Sequence, residues 1–178
     1  MERIAQFEKV SFEQFKEDII SLYGDTAWGD LENGILTDDD IRVMYDAVSI
    51  PERATARSAG YDFVAPFSAF LRIGDSMVFP TGLRVSMDDG WCLKIYPRSG
   101  LGFKHGVGLS NTVGIIDGDY YDSANEGHMF IKLANHGNHK VNIQAGDKIA
   151  QGIFVPFGIT EDDHADGVRN GGFGSTGR

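Results

Sequence analysis

Four short segments in the middle of the chain combine acidic, basic and amide side chains with glycine. SAGYD (58–62) brings Asp62 close to a glycine, and PRSGLG (97–102) places Arg98 in a tight turn whose backbone N–H groups can also point at an anion. NTVGIIDGDYYD (111–122) carries aspartates on both sides of Gly118, and GDKIAQ (146–151) ends in the amide of Gln151. Arginine and hydroxyl groups bind phosphate oxygens, and a carboxylate can act as a general base toward water.

Each of these segments also has an explanation without chemistry. The first and last segments suit hairpin turns, PRSG suits a structural bend, and Asp117 and Asp119 suit a solvated turn or hairpin tip. Taken singly, the segments leave both interpretations open.

The last twelve residues, GVRNGGFGSTGR (167–178), offer similar chemistry at the C-terminus. Five of them are glycine, which loses the most entropy on ordering. Arginine, Ser175 and Thr176 suit phosphate oxygens, and Phe173 offers a flat face for a base. The composition fits a flap that closes over a nucleotide, and it equally fits a disordered terminus.

Composition limits the classes of function. The length of 178 residues predicts one domain, and the net charge of −10 disfavours binding to nucleic acid. A phosphate site therefore requires a local cluster of cations or a divalent metal ion. Cys92 stands in an apolar run and is expected to be a buried small hydrophobe, while His136 and His139 are expected in a surface turn. We find no membrane span or signal peptide and expect a cytoplasmic protein without membrane contact.

The N-terminal 40 residues are expected to form a helical extension. Residues 11–24 have apolar side chains at helical spacing, with a capping box formed by Ser11 and Gln14 and a closing Gly24. Residues 25–40 have loop composition, and TDDD (37–40) is expected to be a solvated turn. We expect the extension to pack against the surface of the assembled protein.

From Ile41 onward, short runs of β type alternate with turn residues. Gly74-Asp75, Asp88-Asp89-Gly90 and Ala145-Gly146-Asp147 are predicted to close hairpins. Many short strands without intervening helices predict an all-β sandwich or barrel over 41–160, followed by a linker and tail over 161–178. The predicted strands are IRVMYDAVSI (41–50), YDFVA, AFLRI, SMVFP, GLRVSM, WCLKIY, MFIKLAN, KVNI and KIAQGIFVPF.

Read in order, five motifs resemble those of the homotrimeric dUTPase family. They are AGYD (59–62), PRSGLG (97–102), GIIDGDY (114–120), GDKIAQ (146–151) and RNGGFGSTG (169–177). Each motif alone is weak, but five in one order are specific, and they span about residues 41–178. The resemblance implies a distorted jelly-roll-like β-barrel with an N-terminal helical extension and a flexible C-terminal tail. It implies hydrolysis of dUTP to dUMP and pyrophosphate, which limits uracil in DNA and supplies dUMP for dTMP synthesis.

The resemblance also implies roles for individual residues. Asp117 would orient and deprotonate the attacking water, Tyr120 would lie under the deoxyribose, and Asp62 would hold a water of the Mg²⁺ shell. Phe173 would stack on uracil. The implied substrate contacts are Arg98, Ser99, Gly100, Asn111, Gly114, Ile116, Tyr120, Gln151, Arg169, Phe173, Gly174, Ser175 and Thr176.

The family forms homotrimers whose sites are shared between subunits, so the resemblance implies a trimer with dUTP and Mg²⁺ as ligands. Two alternatives stay open. One is a dCTP deaminase or a bifunctional deaminase, which shares the superfamily. The other is a dUTPase-like protein that also binds a regulatory protein through residues 1–40 or 121–127.

This sequence departs from the family pattern in three places. Lys148 stands where the family commonly has arginine, which keeps the charge but loses the fork geometry. The segment after Tyr120, YDSANEGH, is several residues longer than usual. The spacing from Arg169 to Phe173 is one residue shorter than in many relatives, which makes Arg178 an alternative phosphate contact.

Overall fold

The computed structural model of the chain describes residues 2–24 and 36–167, which form twelve strands and three α-helices. The strands are β1 (Ala5–Lys9), β2 (Glu52–Arg53), β3 (Tyr61–Val64), β4 (Ala69–Leu71), β5 (Ser76–Pro80), β6 (Leu83–Met87), β7 (Trp91–Pro97), β8 (Val107–Leu109), β9 (Gly114–Ile116), β10 (Phe130–Asn135), β11 (Val141–Ile143) and β12 (Lys148–Pro156). The helices are α1 (Phe12–Tyr23), α2 (Asp38–Asp46) and α3 (Ser99–His105), and Gly118–Asp122 form a 3-10 helix.

The strands form four antiparallel sheets. The largest has the order β2-β3-β12-β7-β9, and a second has the order β5-β10-β8. Two strand pairs, β1-β6 and β11-β4, complete the set. The all-β fold predicted from the turn spacing is confirmed, whereas the jelly-roll description stays a prediction. Side chains from the sheets and α1 share one core, which includes Phe15, Phe63, Phe79, Leu93 and Leu133.

The three predicted hairpin turns exist, but their flanking strands do not pair with each other. Gly74, Gly90 and Gly146 have φ angles of 83°, 80° and 86°, as tight turns require. However, β4 pairs with β11 while β5 pairs with β10, and β6 pairs with β1 while β7 pairs with β12 and β9. Each turn carries the chain from one sheet to another. The hairpin prediction is wrong because turn chemistry is local, whereas the pairing partner depends on the sheet against which the next strand packs.

The strand predicted over residues 41–50 is also wrong. Residues 38–46 form α2, which crosses the expected boundary between residues 40 and 41. Thr37 accepts a hydrogen bond from the Asp40 backbone, and the Asp40 side chain accepts one from the Thr37 backbone, which is a capping box. TDDD therefore starts a helix and is not a solvated turn. The division into extension, barrel and tail stays a prediction.

The N-terminal segment combines a strand with the predicted helix. β1 pairs with β6 over five residues, from Ala5 opposite Met87 to Lys9 opposite Leu83. α1 begins after Ser11 as predicted and buries Phe15 and Ile19 completely. Leu22, one of the apolar residues at helical spacing, is nevertheless 39% exposed. The N-terminal segment therefore contributes a strand and buried side chains to the fold of its own chain, while its expected packing against an assembled protein stays a prediction.

Two further features are the single cysteine and the length of the helices. Cys92 is a buried free cysteine, as expected. In the part of the chain that the structure describes, no helix is long and apolar enough to cross a membrane.

Candidate active site

A charged cluster in the five-stranded sheet is centred on Asp62, whose side chain is 6% exposed. Asp62 lies in β3; Lys148, at the start of the adjacent strand β12, and Arg98, directly after β7, are the two cations that contact it. The Arg98 guanidinium donates a hydrogen bond to Oδ1, and the Lys148 Nζ lies 2.7 Å from Oδ2, without hydrogen-bond geometry. Two cations on one carboxylate leave a local excess of positive charge, which an acidic protein requires in order to bind an anion.

Strand register explains why these residues meet. Gln151 of β12 lies between Asp62 of β3 and Tyr96 of β7. Residues directly opposite each other point to one face of an antiparallel sheet, and so do residues two apart on a strand. Arg98 follows Tyr96 by two residues, so Asp62, Gln151 and Arg98 share a face.

Glycine makes room for Gln151 at this face. A Cβ atom at Gly60 would lie 2.7 Å from the Gln151 Oε1, which is closer than real Cβ contacts. The side-chain amide of Gln151 lies 3.5 Å from the Pro97 carbonyl oxygen, as a long hydrogen bond. The Gln151 side chain thus lies against Gly60 and Pro97 beside the Asp62 cluster, and a larger residue at position 60 would require that side chain to shift.

Ser99 and Gly100 begin α3 directly after Arg98, and both are exposed at least in part. The Gly102 N–H donates to the Arg98 carbonyl and closes the first turn. A Cβ atom at Gly100 would meet nothing within 4 Å among the described residues. The phosphate contacts predicted for Ser99 and Gly100 stay predictions.

A mostly apolar cavity of about 490 Å³ opens beside the turn that joins β8 to β9. Asn111, Gly114 and Ile116, three of the implied substrate contacts, line it. The two arms of this turn do not pair with each other, because β8 pairs with β10 and β9 pairs with β7. The β8–β9 turn therefore does not close a β-hairpin. The remaining lining residues are Leu22, Val78, Ile95, Leu109, Ser110, Phe130, Ile131 and Lys132.

Thr112, in the turn itself, is a residue that sequence reasoning missed. Its φ angle is 67°, which is rare for a β-branched side chain. Strained backbone of this kind concentrates at ligand sites. No residue pattern in the sequence marked Thr112. A second residue that was not predicted near the site is Leu22 of α1, which lines the cavity although it belongs to the N-terminal extension.

Asp117 is exposed and immediately precedes the 3-10 helix, so it does not lie at a hairpin tip. Its backbone carbonyl accepts a hydrogen bond of 3.1 Å from the Tyr120 N–H. Tyr120 is only 2% exposed, and its hydroxyl donates to the His128 carbonyl at 2.7 Å. The predicted position of Tyr120 under a deoxyribose stays a prediction and requires the ring to gain exposure.

The structure thus groups the predicted residues in two places. The first is the sheet face with Asp62, Arg98 and Gln151, and the second is the β8–β9 turn with its cavity. Ile116 lies opposite Leu93 of β7, five residues from Arg98, which corresponds to roughly 17 Å along a strand. The register therefore places Arg98 and Asp117 near opposite ends of β7.

Comparison with known proteins gives one family. A sequence model of the dUTPase family matches residues 46–177. The deoxyuridine 5'-triphosphate nucleotidohydrolase of Lactococcus lactis subsp. lactis is 42% identical over 133 residues, which cover 73% of this chain and 89% of the relative. This chain belongs to the dUTPase family. The corresponding enzyme of Escherichia coli K12 is 41% identical over 151 residues, covering 78% of this chain and 97% of the relative.

Solved dUTPase structures have the same fold. The dUTPase of Streptococcus mutans matches with a TM-score of 0.59 and 36% identity, over 65% of this chain and 91% of that one. The dUTPase of Staphylococcus aureus phage phi11 matches with a TM-score of 0.58 at 22% identity, over 71% of this chain and 94% of that one. The family model begins at residue 46, so β1 and α1 lie outside the matched region.

Two sets of sequence-predicted residues lie outside the clusters described above: the histidines, with any other candidate metal ligands, and the residues of the C-terminal tail. Within the described residues, no set of three or more histidine, cysteine, aspartate or glutamate side chains could hold a metal ion. His139 lies in a surface turn and contacts His105, with their ring nitrogens 3.0 Å apart. The tail residues lie outside the described residues; they are Arg169, Phe173, Gly174, Ser175, Thr176 and Arg178.

Proposed function

We propose that this chain hydrolyses dUTP to dUMP and pyrophosphate, as the names of its relatives describe for them. The observation that carries the proposal is the buried Asp62 with its two cations, on the same sheet face as Gln151. This cluster gives an acidic protein one site for a triphosphate. The relatives named above are dUTP nucleotidohydrolases, so a dCTP deaminase is not favoured.

Asp117 is the proposed general base. It is exposed at the start of the 3-10 helix, where its carboxylate can contact a water molecule. A general base of this kind accelerates a reaction by roughly 10²–10⁴-fold. The water attacks the α-phosphorus, its proton passes to the Asp117 carboxylate, and the bond from the α-phosphorus to the bridging oxygen breaks to release pyrophosphate. Arg98 and Gln151 would hold the phosphate oxygens in place.

The cavity beside the β8–β9 turn is the proposed base site. Its mostly apolar lining suits a flat pyrimidine, and Asn111 supplies a polar group that can read the base edge. The turn at Thr112, whose φ angle is 67°, would exclude the methyl group of thymine if it closes on the C5 edge of the bound base. These features support uracil as the base.

A homotrimer with shared sites is supported by the separation of the two groups of residues. Since Arg98 and Asp117 of one chain lie near opposite ends of β7, we propose that Asp117 acts with Arg98 of a neighbouring subunit. The tail with Phe173, Ser175 and Thr176 would close over the nucleotide as a flap.

The oxygen atoms at this site suit Mg²⁺ that is bound to the phosphates of the substrate. Carboxylate and phosphate oxygens are its preferred ligands, and Asp62 Oδ2 has no hydrogen-bond partner among the described residues. Because Lys148 and Arg98 already contact Asp62, this carboxylate would hold the ion through a water molecule. When bound, Mg²⁺ would neutralise charge on the phosphates.

The decisive experiment is a pyrophosphate-release assay with dUTP, dCTP, dTTP and UTP in the presence of Mg²⁺. We expect release from dUTP in strong preference to the other three nucleotides. Ammonia release from dCTP, measured in parallel, would support the deaminase instead. Equal hydrolysis of dUTP and UTP would contradict the proposed base and sugar selection.

A further inference from the structure

The N-terminal segment and the lengthened segment after Tyr120 contact each other at three points. Both differ from the family pattern, and both were candidates for binding a partner protein. The three pairs are Glu8 with Tyr121 at 2.7 Å, Ser11 with Glu126 at 2.7 Å, and Asp18 with His128 at 2.6 Å. Each segment therefore covers polar groups of the other within the same chain.

The contact between Ser11 and Glu126 is the most specific of the three. Both the backbone N–H and the hydroxyl of Ser11 donate to the Glu126 carboxylate, each at 2.7 Å. Glu126 thus supplies the acceptor that a capping box normally takes from the helix itself, since the predicted partner Gln14 bonds Asp18 instead. These bonds from Ser11 hold the pKa of the Glu126 carboxyl below its usual value.

Glu126 adopts a backbone conformation that requires support. Its φ angle is 55°, in the left-handed region that residues other than glycine seldom occupy. Such a conformation persists when the surroundings determine it, and here the two bonds from Ser11 do so. Gly127 follows with a φ angle of 70°, so the turn is closed by two consecutive left-handed residues.

A series of backbone hydrogen bonds connects this turn to Asp117. The Asp117 carbonyl accepts from the Tyr120 N–H at 3.1 Å, and the Tyr120 carbonyl accepts from the Ser123 N–H at 3.1 Å. The Ser123 carbonyl accepts in turn from the Glu126 N–H at 2.8 Å. The same stretch is tied back where the Tyr120 hydroxyl donates to the His128 carbonyl. Fixing Glu126 therefore limits how far Asp117 can move.

We propose that Glu126 is a positioning residue for Asp117, and that the N-terminal segment serves as its anchor through Ser11. Glu126 touches no substrate; it holds the 3-10 helix that follows Asp117 in one position. The catalytic part of this inference rests on the proposed dUTP hydrolysis, whereas its structural part does not.

The test compares Glu126→Gln with Glu13→Gln in the full-length protein. Glu13 lies exposed in the first turn of α1, so its substitution removes the same charge from the same helix end. We expect Glu126→Gln to lower kcat for dUTP roughly 10-fold or more with KM nearly unchanged, because a small misplacement of a reacting group is costly. Amide exchange at Tyr120 and Ser123 should accelerate about as much, and Glu13→Gln should change neither quantity.

Ser11→Ala and the double variant keep the test decisive if Glu126→Gln folds poorly. Ser11→Ala removes one of the two bonds to Glu126 and also the N-cap bond that the Gln14 N–H donates to the Ser11 hydroxyl, so it lowers stability as well. The double variant should lose no more kcat than the worse single variant, because both substitutions act on Asp117 through the same Ser11–Glu126 contact. Multiplicative losses, or wild-type kcat and wild-type exchange at Tyr120 in both single variants, would overturn the inference. If the wild type does not hydrolyse dUTP, the proposed function fails, while the exchange at Tyr120 and Ser123 still decides whether Glu126 holds this segment.

Discussion

Replacing Gly127 with alanine should destabilise the protein far more than the same change at an open turn glycine. Gly127 has a φ angle of 70°, and a Cβ atom there would lie 2.8 Å from the Tyr120 carbonyl oxygen and 2.8 Å from the Tyr121 Cα. Both are backbone atoms, so no side chain can rotate away. The left-handed conformation costs alanine about 1 kcal/mol, and forcing an extra methyl group into a packed site costs about 1–3 kcal/mol.

Gly90 is the matched control. Its φ angle is 80°, and a Cβ atom there would meet nothing within 4 Å among the described residues. Gly90→Ala should therefore cost only the conformational part. For a chain of this size, about 1 kcal/mol changes the unfolding midpoint by roughly 2–4 °C. At about 2–4 kcal/mol in total, Gly127→Ala should lower the midpoint by roughly 4–16 °C, whereas Gly90→Ala should lower it by roughly 2–4 °C.

The measurement is thermal unfolding followed by circular dichroism at one protein concentration, because association changes the midpoint of an oligomer. Activity toward dUTP should be measured on the same samples below the transition. Equal decreases in the two variants would refute the reasoning, because they would show that the backbone around Tyr121 yields freely to a methyl group.

Further predictions concern the site and the N-terminal helix. Asp117→Asn should lower kcat for dUTP by roughly 10²–10⁴-fold while a non-hydrolysable analogue still binds; near-normal turnover would exclude the general-base role. Removal of divalent ions with EDTA should abolish hydrolysis and added Mg²⁺ should restore it, and full activity in EDTA would count against the metal. Phe173→Trp should change its fluorescence when the analogue binds, whereas an unchanged signal would argue against stacking. Burial raises the pKa of Tyr23 to about 12, from 10.0, so the folded protein keeps a proton that the unfolded chain releases, and stability should fall as pH rises through this range. Tyr23→Phe should make that fall shallower in urea titrations at several pH values, and an identical slope would contradict it.

The sequence predicted most strand positions of the barrel but not how they pair. Runs such as WCLKIY and KIAQGIFVPF lie in β7 and β12 because alternating apolar residues mark a strand locally. The partner of each strand depends on long-range packing, so turns at Gly74 and Gly146 were compatible with hairpins that do not form. For residues 41–50, the apolar residues fitted either period, and the deciding signal was the capping box of Thr37 and Asp40.

The site was predictable as a set of motifs, but its geometry was not. Asp62, Arg98 and Gln151 come from segments far apart in sequence, and only the register of three strands brings them to one face. The contact from Lys148 depends on an irregularity between Lys148 and Ala150, which no residue pattern marks. Likewise, the buried Tyr120 donates its hydroxyl proton to the carbonyl of His128, a residue of the lengthened segment, so the position of Tyr120 depends on that segment.

The contacts of His128 show how α1 and the lengthened segment after Tyr120 hold each other in position. The Gly82 N–H donates to its Nε2 at 2.8 Å, so that nitrogen is an acceptor and carries no proton. The ring proton must therefore lie on Nδ1, where it is donated to Asp18 of α1 at 2.6 Å. The fully buried imidazole thus needs both the β5–β6 turn, at Gly82, and α1, at Asp18, to satisfy its two nitrogens. Because its carbonyl also holds Tyr120, the helix outside the family match determines the position of a residue inside the third motif.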